Sequence, residues 1–141
     1  MKILAVERTF ESLIIGETSC FEHLILKNDI TEFAAISGDY NPLHTDDEYA
    51  KSTVYKKPII HGMFLGGLIS RLIGMKLPGK YSLLMNVVIE FKKPVKEGDM
   101  LLIQGTISQK SRSTHIVVVD ILIHRAEELI AKSAAHVRLL Q

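Results

Sequence analysis

Apolar residues along the chain keep two different spacings, and the change from one to the other falls near Gly79. Before it, Met63, Phe64, Leu65, Leu68, Ile69, Leu72, Ile73 and Met75 spread over nearly the whole circumference of a helix, with Ser70 and Arg71 the polar exceptions. A helix patterned this way is buried on most sides. After Gly79, Tyr81, Leu83, Met85, Val87, Ile89 and Phe91 form an apolar face opposite Ser82, Asn86 and Glu90, the period of two that marks a long strand. The same period returns over Met100 to Ser108, His115 to His124 and Leu129 to Leu139. Turn signals lie between, at Lys96-Glu97-Gly98-Asp99, around Ser111 to Ser113, and at Arg125 to Glu128. These strands predict an antiparallel meander.

The first third of the chain reads as shorter elements. A strand is predicted over Glu22 to Lys27. A helix follows, started by Asn28-Asp29 with Glu32, carrying Ile30, Phe33, Ala34 and Ile36 on its apolar face and stopping at Gly38. Thr45 and Glu48 have the T-x-x-E spacing of a second capping box, with Asp46 and Asp47 in the first turn, where the helix dipole favours negative charge. The order of strand, helices and then long strands predicts an α+β fold in which a curved antiparallel sheet wraps one long buried helix. Neither repeat nor linker interrupts residues 1–141, so a single domain is expected.

Composition narrows the function classes. Seventeen Lys and Arg stand against sixteen Asp and Glu, a net charge of +1, with no basic stripe, so nucleic-acid binding has little electrostatic footing. The most apolar long window, Ile59 to Leu77, holds His61, Ser70, Arg71 and Lys76, and falls short of a membrane span. The single Cys20 cannot form an internal disulfide, and Glu7 and Arg8 break the amino-terminal apolar run before a secretory core could form. A cytoplasmic setting is expected.

The chemistry concentrates in Ser37-Gly38-Asp39-Tyr40-Asn41-Pro42-Leu43-His44. Pro42 fixes its own φ and pushes Asn41 out of the helical region, so the chain turns and can bring the Asp39 carboxylate and the His44 imidazole together. The Asn41 amide suits such a turn because it can bond the backbone two residues on. A carboxylate beside an imidazole is a common way to poise proton transfer near neutral pH. Further along, Gly62 opens the buried helix, where free N–H groups at the positive end of the dipole can meet an oxygen that gains charge during reaction. Gly74 to Lys80 fits the G-x-x-x-x-G-K skeleton of a phosphate loop, but Tyr81 follows and the segment leaves a helix for a strand, the reverse of the required context. No metal site is expected, since His23, His115, His124 and His136 stand alone without ligand spacing.

Taken together, Ser37 to His44, Tyr49-Ala50, Pro58-Ile59-Ile60-His61-Gly62-Met63, Leu77-Pro78-Gly79 and Phe91-Lys92-Lys93-Pro94-Val95 with Gly98-Asp99 resemble the MaoC-like dehydratases, the single-hot-dog family that includes the (R)-specific enoyl-CoA hydratases. The resemblance implies a hot-dog fold and a homodimer or higher homo-oligomer. It implies hydration of a trans-2-enoyl thioester or the reverse dehydration, with CoA or acyl carrier protein as the thioester carrier and no further cofactor. Asp39 and His44 match the catalytic pair, Gly62 the backbone N–H that meets the thioester carbonyl, and Ser70 a hydroxyl beside the site. Asn41, His61 and Met63 are expected to support the site or bind substrate. An acyl-CoA thioesterase on the same fold and a non-catalytic acyl-thioester-binding subunit are the alternatives.

Overall fold

The structure, a computed structural model, describes residues 2–141. Five strands, β1 (Thr18–Leu24), β2 (Ser82–Phe91), β3 (Met100–Ser111), β4 (Ile116–Arg125) and β5 (Glu128–Leu139), form one antiparallel sheet in the order β1-β3-β4-β5-β2. Four helices precede the long strands: α1 (Lys27–Ser37), α2 (Pro42–Thr45), α3 (Asp47–Ser52) and α4 (Gly62–Met75). The sheet curves around α4, and the meander holds for β3 to β5. The strand after α4 does not join the meander at β3 but lies beyond β5, so β1 and β2 are the two edges.

The core is the inner face of the sheet against α4. Leu101, Ile103 and Ile107 of β3, Val117, Val119, Ile121 and Ile123 of β4, and Leu65, Leu68, Ile69, Leu72 and Ile73 of α4 belong to one cluster of buried residues. Gly105 marks the closest approach: a Cβ there would lie 2.6 Å from Leu72 Cδ2 and 3.1 Å from Val119 Cγ1, so the missing side chain admits the helix.

Several sequence expectations change for identifiable reasons. Residues directly opposite in an antiparallel pair share a face. Leu84 opposes Val137, Val87 opposes Ala135, Ile89 opposes Ser133 and Phe91 opposes Ala131, so these β2 residues point inward. A bulge at Met85 shifts the register, turning Leu83 outward beside Arg138 and splitting the single apolar face expected from Tyr81 to Phe91. In α1, Ile36 is exposed because it lies six residues, about 120° of helical rotation, away from Ile30. The first strand starts earlier than expected, pairing Thr18 with Thr106, and stops at Leu24 because Asp29 turns back to accept the Leu26 N–H at 2.9 Å. Asn28 and Glu32 bond each other along α1 instead of capping it. Asp46, not Thr45, caps α3, its carboxylate accepting the Tyr49 N–H at 3.0 Å.

The long helix is also less enclosed than its pattern implies. Met63, Gly67 and Ser70 line one exposed stripe, and nothing lies within 4 Å of a Cβ built on Gly67 or Gly74. Among the described residues no helix is long and apolar enough to cross a membrane.

Candidate active site

The segment from Ser37 to Asp46 is a chain of short-range hydrogen bonds that the sequence dictates almost residue by residue. Gly38 ends α1 in the left-handed region at φ 76°, and its N–H bonds the Ala34 carbonyl. The Asp39 N–H then donates to Ser37 Oγ, and the Asp39 carboxylate accepts the Asn41 N–H at 3.1 Å. Asn41 caps the one-turn α2, its Oδ1 accepting the Leu43 N–H at 2.9 Å, with Pro42 at the first helical position where no N–H is needed. Thr45 Oγ1 closes the turn by donating to the Tyr40 and Asn41 carbonyls. His44 thus stands inside the helical turn of α2.

Long-range contacts set the imidazoles. His44 Nδ1 lies 2.7 Å from the Ile59 carbonyl oxygen. A carbonyl only accepts, so Nδ1 carries a proton, and in the neutral ring Nε2 is the bare lone pair. Ile59 itself is fixed on both sides, its N–H to Leu43 and its bridge to Lys96, while the Ile60 N–H donates to Val95. His61 is buried and stacks on His44 with ring centroids 4.0 Å apart and 28° between planes. Its Nε2 lies 2.8 Å from the main-chain carbonyl of Asp39. One side-chain donor or acceptor atom from each of Asp39, His44 and His61 lies within 4.8 Å of the other two, so the expected pair does converge and a third residue joins it.

Two histidines and a carboxylate are also a familiar ligand set for a transition metal. A metal-bound imidazole points its lone pair, in the ring plane, at the ion. Within this set the His44 and His61 rings lie face to face, 28° from parallel.

Gly62 is the first residue of α4, directly after His61, and the first N–H groups of a helix have no partner within it. A Cβ at Gly62 would lie 3.3 Å from two carbons of the Phe91 ring, so glycine lets that ring close over the helix tip. The remaining predicted residues are not gathered here. Met63 is 59% exposed on the open stripe of α4. Ser70 is eight residues from Gly62, about 12 Å along the axis, on the same exposed stripe.

Sequence reasoning missed two features. His23, expected to stand alone, bonds Asp29 at 2.9 Å, and because Asp29 Oδ2 also takes the Leu26 N–H, that pair secures the start of α1. A cleft of about 640 Å³ opens beside His44, lined by Lys27, Lys51, Lys56, Lys57 and Lys96 with Asp47 and Glu97 as its acids. Five lysines against two carboxylates concentrate positive charge on a chain whose net charge is only +1. Only Lys56 and Lys57 adjoin in sequence, so no charge run announced it.

The family of MaoC-like domains matches residues 9–128. The (R)-specific enoyl-CoA hydratase of Aeromonas caviae is 40% identical over 89 residues, covering 63% of this chain and 66% of that protein. The hydratase of the same name from Rhodospirillum rubrum is 37% identical over 99 residues, 70% of this chain and 69% of that one. These alignments span about two thirds of each relative's length. Among solved structures, the (R)-hydratase from A. caviae involved in PHA biosynthesis superposes with a TM-score of 0.88 at 32% identity, covering 92% of this chain and 98% of that one. An R-hydratase from Pseudomonas aeruginosa in its unliganded form gives 0.89 at 31% identity, over 93% and 84% of the two chains.

Proposed function

Because the chain belongs to the family of MaoC-like domains, we propose that it hydrates trans-2-enoyl-CoA to (R)-3-hydroxyacyl-CoA, or runs the reverse dehydration, as a hydro-lyase. The observation that carries this reading is the convergence of the Asp39 carboxylate and the His44 imidazole at the amino end of α4. The names of the similar hydratases support both the reaction and its stereochemistry.

In this reading one water lies between the Asp39 carboxylate and His44 Nε2. The tautomer set by the Ile59 carbonyl makes Nε2 the proton acceptor. It takes a proton as the water oxygen bonds to C3, the double-bond electrons move toward C2 and the thioester oxygen, and the resulting imidazolium returns a proton to C2 on the same face. Asp39 accepts the second hydrogen of the water and orients it. The Gly62 N–H stabilises the enolate-like oxygen. A positioned acid or base contributes about 10² to 10⁴ in rate, and one oxyanion donor about 10² to 10³. No cofactor beyond the thioester carrier enters. CoA is the carrier, and the lysine-lined cleft beside His44 favours the approach of its phosphates. Asn41 supports the site by capping α2, and Met63 and Ser70 serve the acyl chain from the open stripe of α4.

The protein works as a homodimer joined along β2. That edge strand exposes Leu83, Leu84, Met85, Val87, Val88 and Phe91, an apolar edge of a length that proteins rarely leave uncovered. Pairing β2 with its copy continues the sheet and covers the adjacent stripe of α4. A reducing, cytoplasmic compartment agrees with the exposed, unpaired Cys20.

The deciding assay is the loss of enoyl absorbance from crotonyl-CoA, with the product tested against an (R)-specific 3-hydroxyacyl-CoA dehydrogenase. Free thiol released without a hydroxy product would turn the reading to a thioesterase. Saturable binding with unchanged absorbance would make the chain a binding subunit.

A further inference from the structure

His61 has no place in the proton transfers just described, yet it lies against both Asp39 and His44. It is 2% exposed, it is the residue immediately before α4, and Phe33 packs against its ring at 4.9 Å while His44 stacks on it at 4.0 Å. Its two nitrogens differ sharply. Nε2 faces the Asp39 main-chain carbonyl at 2.8 Å and must be the protonated one, since that oxygen cannot donate. Nδ1 is buried and meets no partner among the described residues.

The bond to Asp39 leaves Nδ1 of the singly protonated ring as a buried acceptor without a partner among the described residues. An orphaned buried nitrogen is a cost that an apolar ring of the same shape would avoid. The side chain that bears this cost also supplies an N–H that an apolar ring lacks, and that N–H ends on the backbone of Asp39.

We propose that His61 is the positioning residue of this site, its Nε2–H fixing the backbone of Asp39 and its ring face fixing the plane of His44. The inference rests on the hydratase reading for its effect on turnover, but not for the geometry it asserts. The two carbonyls divide the labour. Ile59 holds the tautomer of His44 from one direction, and Asp39 holds that of His61 from the other. The stacked pair then keeps one bare nitrogen, His44 Nε2, available for the reaction and seals the other away.

Two substitutions separate the two duties. His61→Phe keeps a ring for stacking and loses the donor; His61→Gln keeps an N–H near the Nε2 position and loses the ring. With crotonyl-CoA as substrate, His61→Phe is expected to lower kcat roughly 10- to 100-fold through misplacement of Asp39, with KM changed less than about threefold. His61→Gln is expected to recover several-fold of that loss and to shift the pH profile of kcat/KM, because His44 is freed to turn. Nitrogen NMR of histidine-labelled protein, which needs no substrate, should show His44 holding its wild-type tautomer in His61→Phe and a tautomer mixture in His61→Gln. Wild-type kcat in both variants, or a loss that merely tracks the unfolded fraction in a thermal melt, would overturn the proposal, as would an unchanged His44 spectrum in His61→Gln. If either variant fails to fold, the other still decides its own half. An inactive wild type with the expected NMR behaviour would strike down the hydratase reading and leave the positioning inference standing.

Discussion

The sheet that grips α4 and the segment that carries Asp39 and His44 are held together by opposite means. The inner face of β3 and β4 meets α4 through side chains that are almost all fully buried and apolar, so each contact is one of many that do the same work. The segment from Ser37 to His44 has no fully buried side chain and keeps its shape through hydrogen bonds that each occur once: Asp39 to Asn41, Asn41 to Leu43, His44 to Ile59 and His61 to Asp39. The first region is redundant and the second is not. Stability therefore resides in the sheet and orientation in the segment, and substitutions should show one effect without the other.

The strongest test of that separation is the pair itself. Asp39→Asn or His44→Ala should cut kcat/KM for crotonyl-CoA by about 10² to 10⁴, with the melting midpoint measured by circular dichroism left in place. A large drop in midpoint would mean that the segment bears load after all. Next, Leu72→Ala removes a fully buried side chain from the face of α4 that meets Gly105. It should cost about 2 to 5 kcal/mol in urea unfolding. The folded fraction should keep a wild-type kcat.

A smaller effect sharpens the same contact. Gly105→Ala drives a methyl to within 2.6 Å of Leu72 Cδ2 and should cost about 1 to 3 kcal/mol. In the Leu72→Ala background the same change should be close to neutral, because the clashing atom is gone. Purely additive losses would locate the strain at Val119 instead.

On the dimer, Val88→Lys places a charge on the exposed β2 edge and should shift the mass measured by light scattering from dimer to monomer. An unchanged dimer would place the interface elsewhere.

The smallest effect concerns pH. The Glu17 carboxyl is pushed up by burial, but the Arg8 guanidinium at 2.9 Å and the Ile14 N–H outweigh this and hold it below the ordinary 4.5. A carboxyl with a depressed folded value stabilises the fold above its unfolded value and loses that contribution as pH falls through the folded one. Both side chains keep about a quarter of their surface in water, so screening limits the gain to about 1 kcal/mol or less. Glu17→Gln should be less stable than the wild type by that amount at pH 7, with the gap closing as pH falls below the ordinary 4.5. A gap that stays constant across that range would mean the pair contributes by packing.

Much of this was readable in advance. The turn from Asp39 to His44, the stop at Gly38 and the run of α4 all depend on residues within a few positions of one another, where Pro, Gly and Asn act directly on the backbone. Apart from the caps expected at Asn28 and Thr45 and the exposed face of Ile36, what failed was non-local. The bulge at Met85 reversed the faces of the first half of β2, and only its pairing with β5 reveals it. The open stripe at Met63, Gly67 and Ser70 looked buried because an apolar pattern records what a helix tolerates, not how many neighbours arrive. His61 was expected to support the site or bind substrate, but its partner, the Asp39 carbonyl 22 residues away, is visible only in the fold.

By itself, the sequence determined most of the helices and strands and which side chains are able to move a proton, because those properties belong to each residue and its near neighbours. The tertiary structure alone decided which nitrogen of each imidazole is bare. That choice is made by the Ile59 and Asp39 carbonyls, oxygens 15 and 22 residues away in the chain, and a hydrogen bond reads distance in space without regard to distance along the sequence.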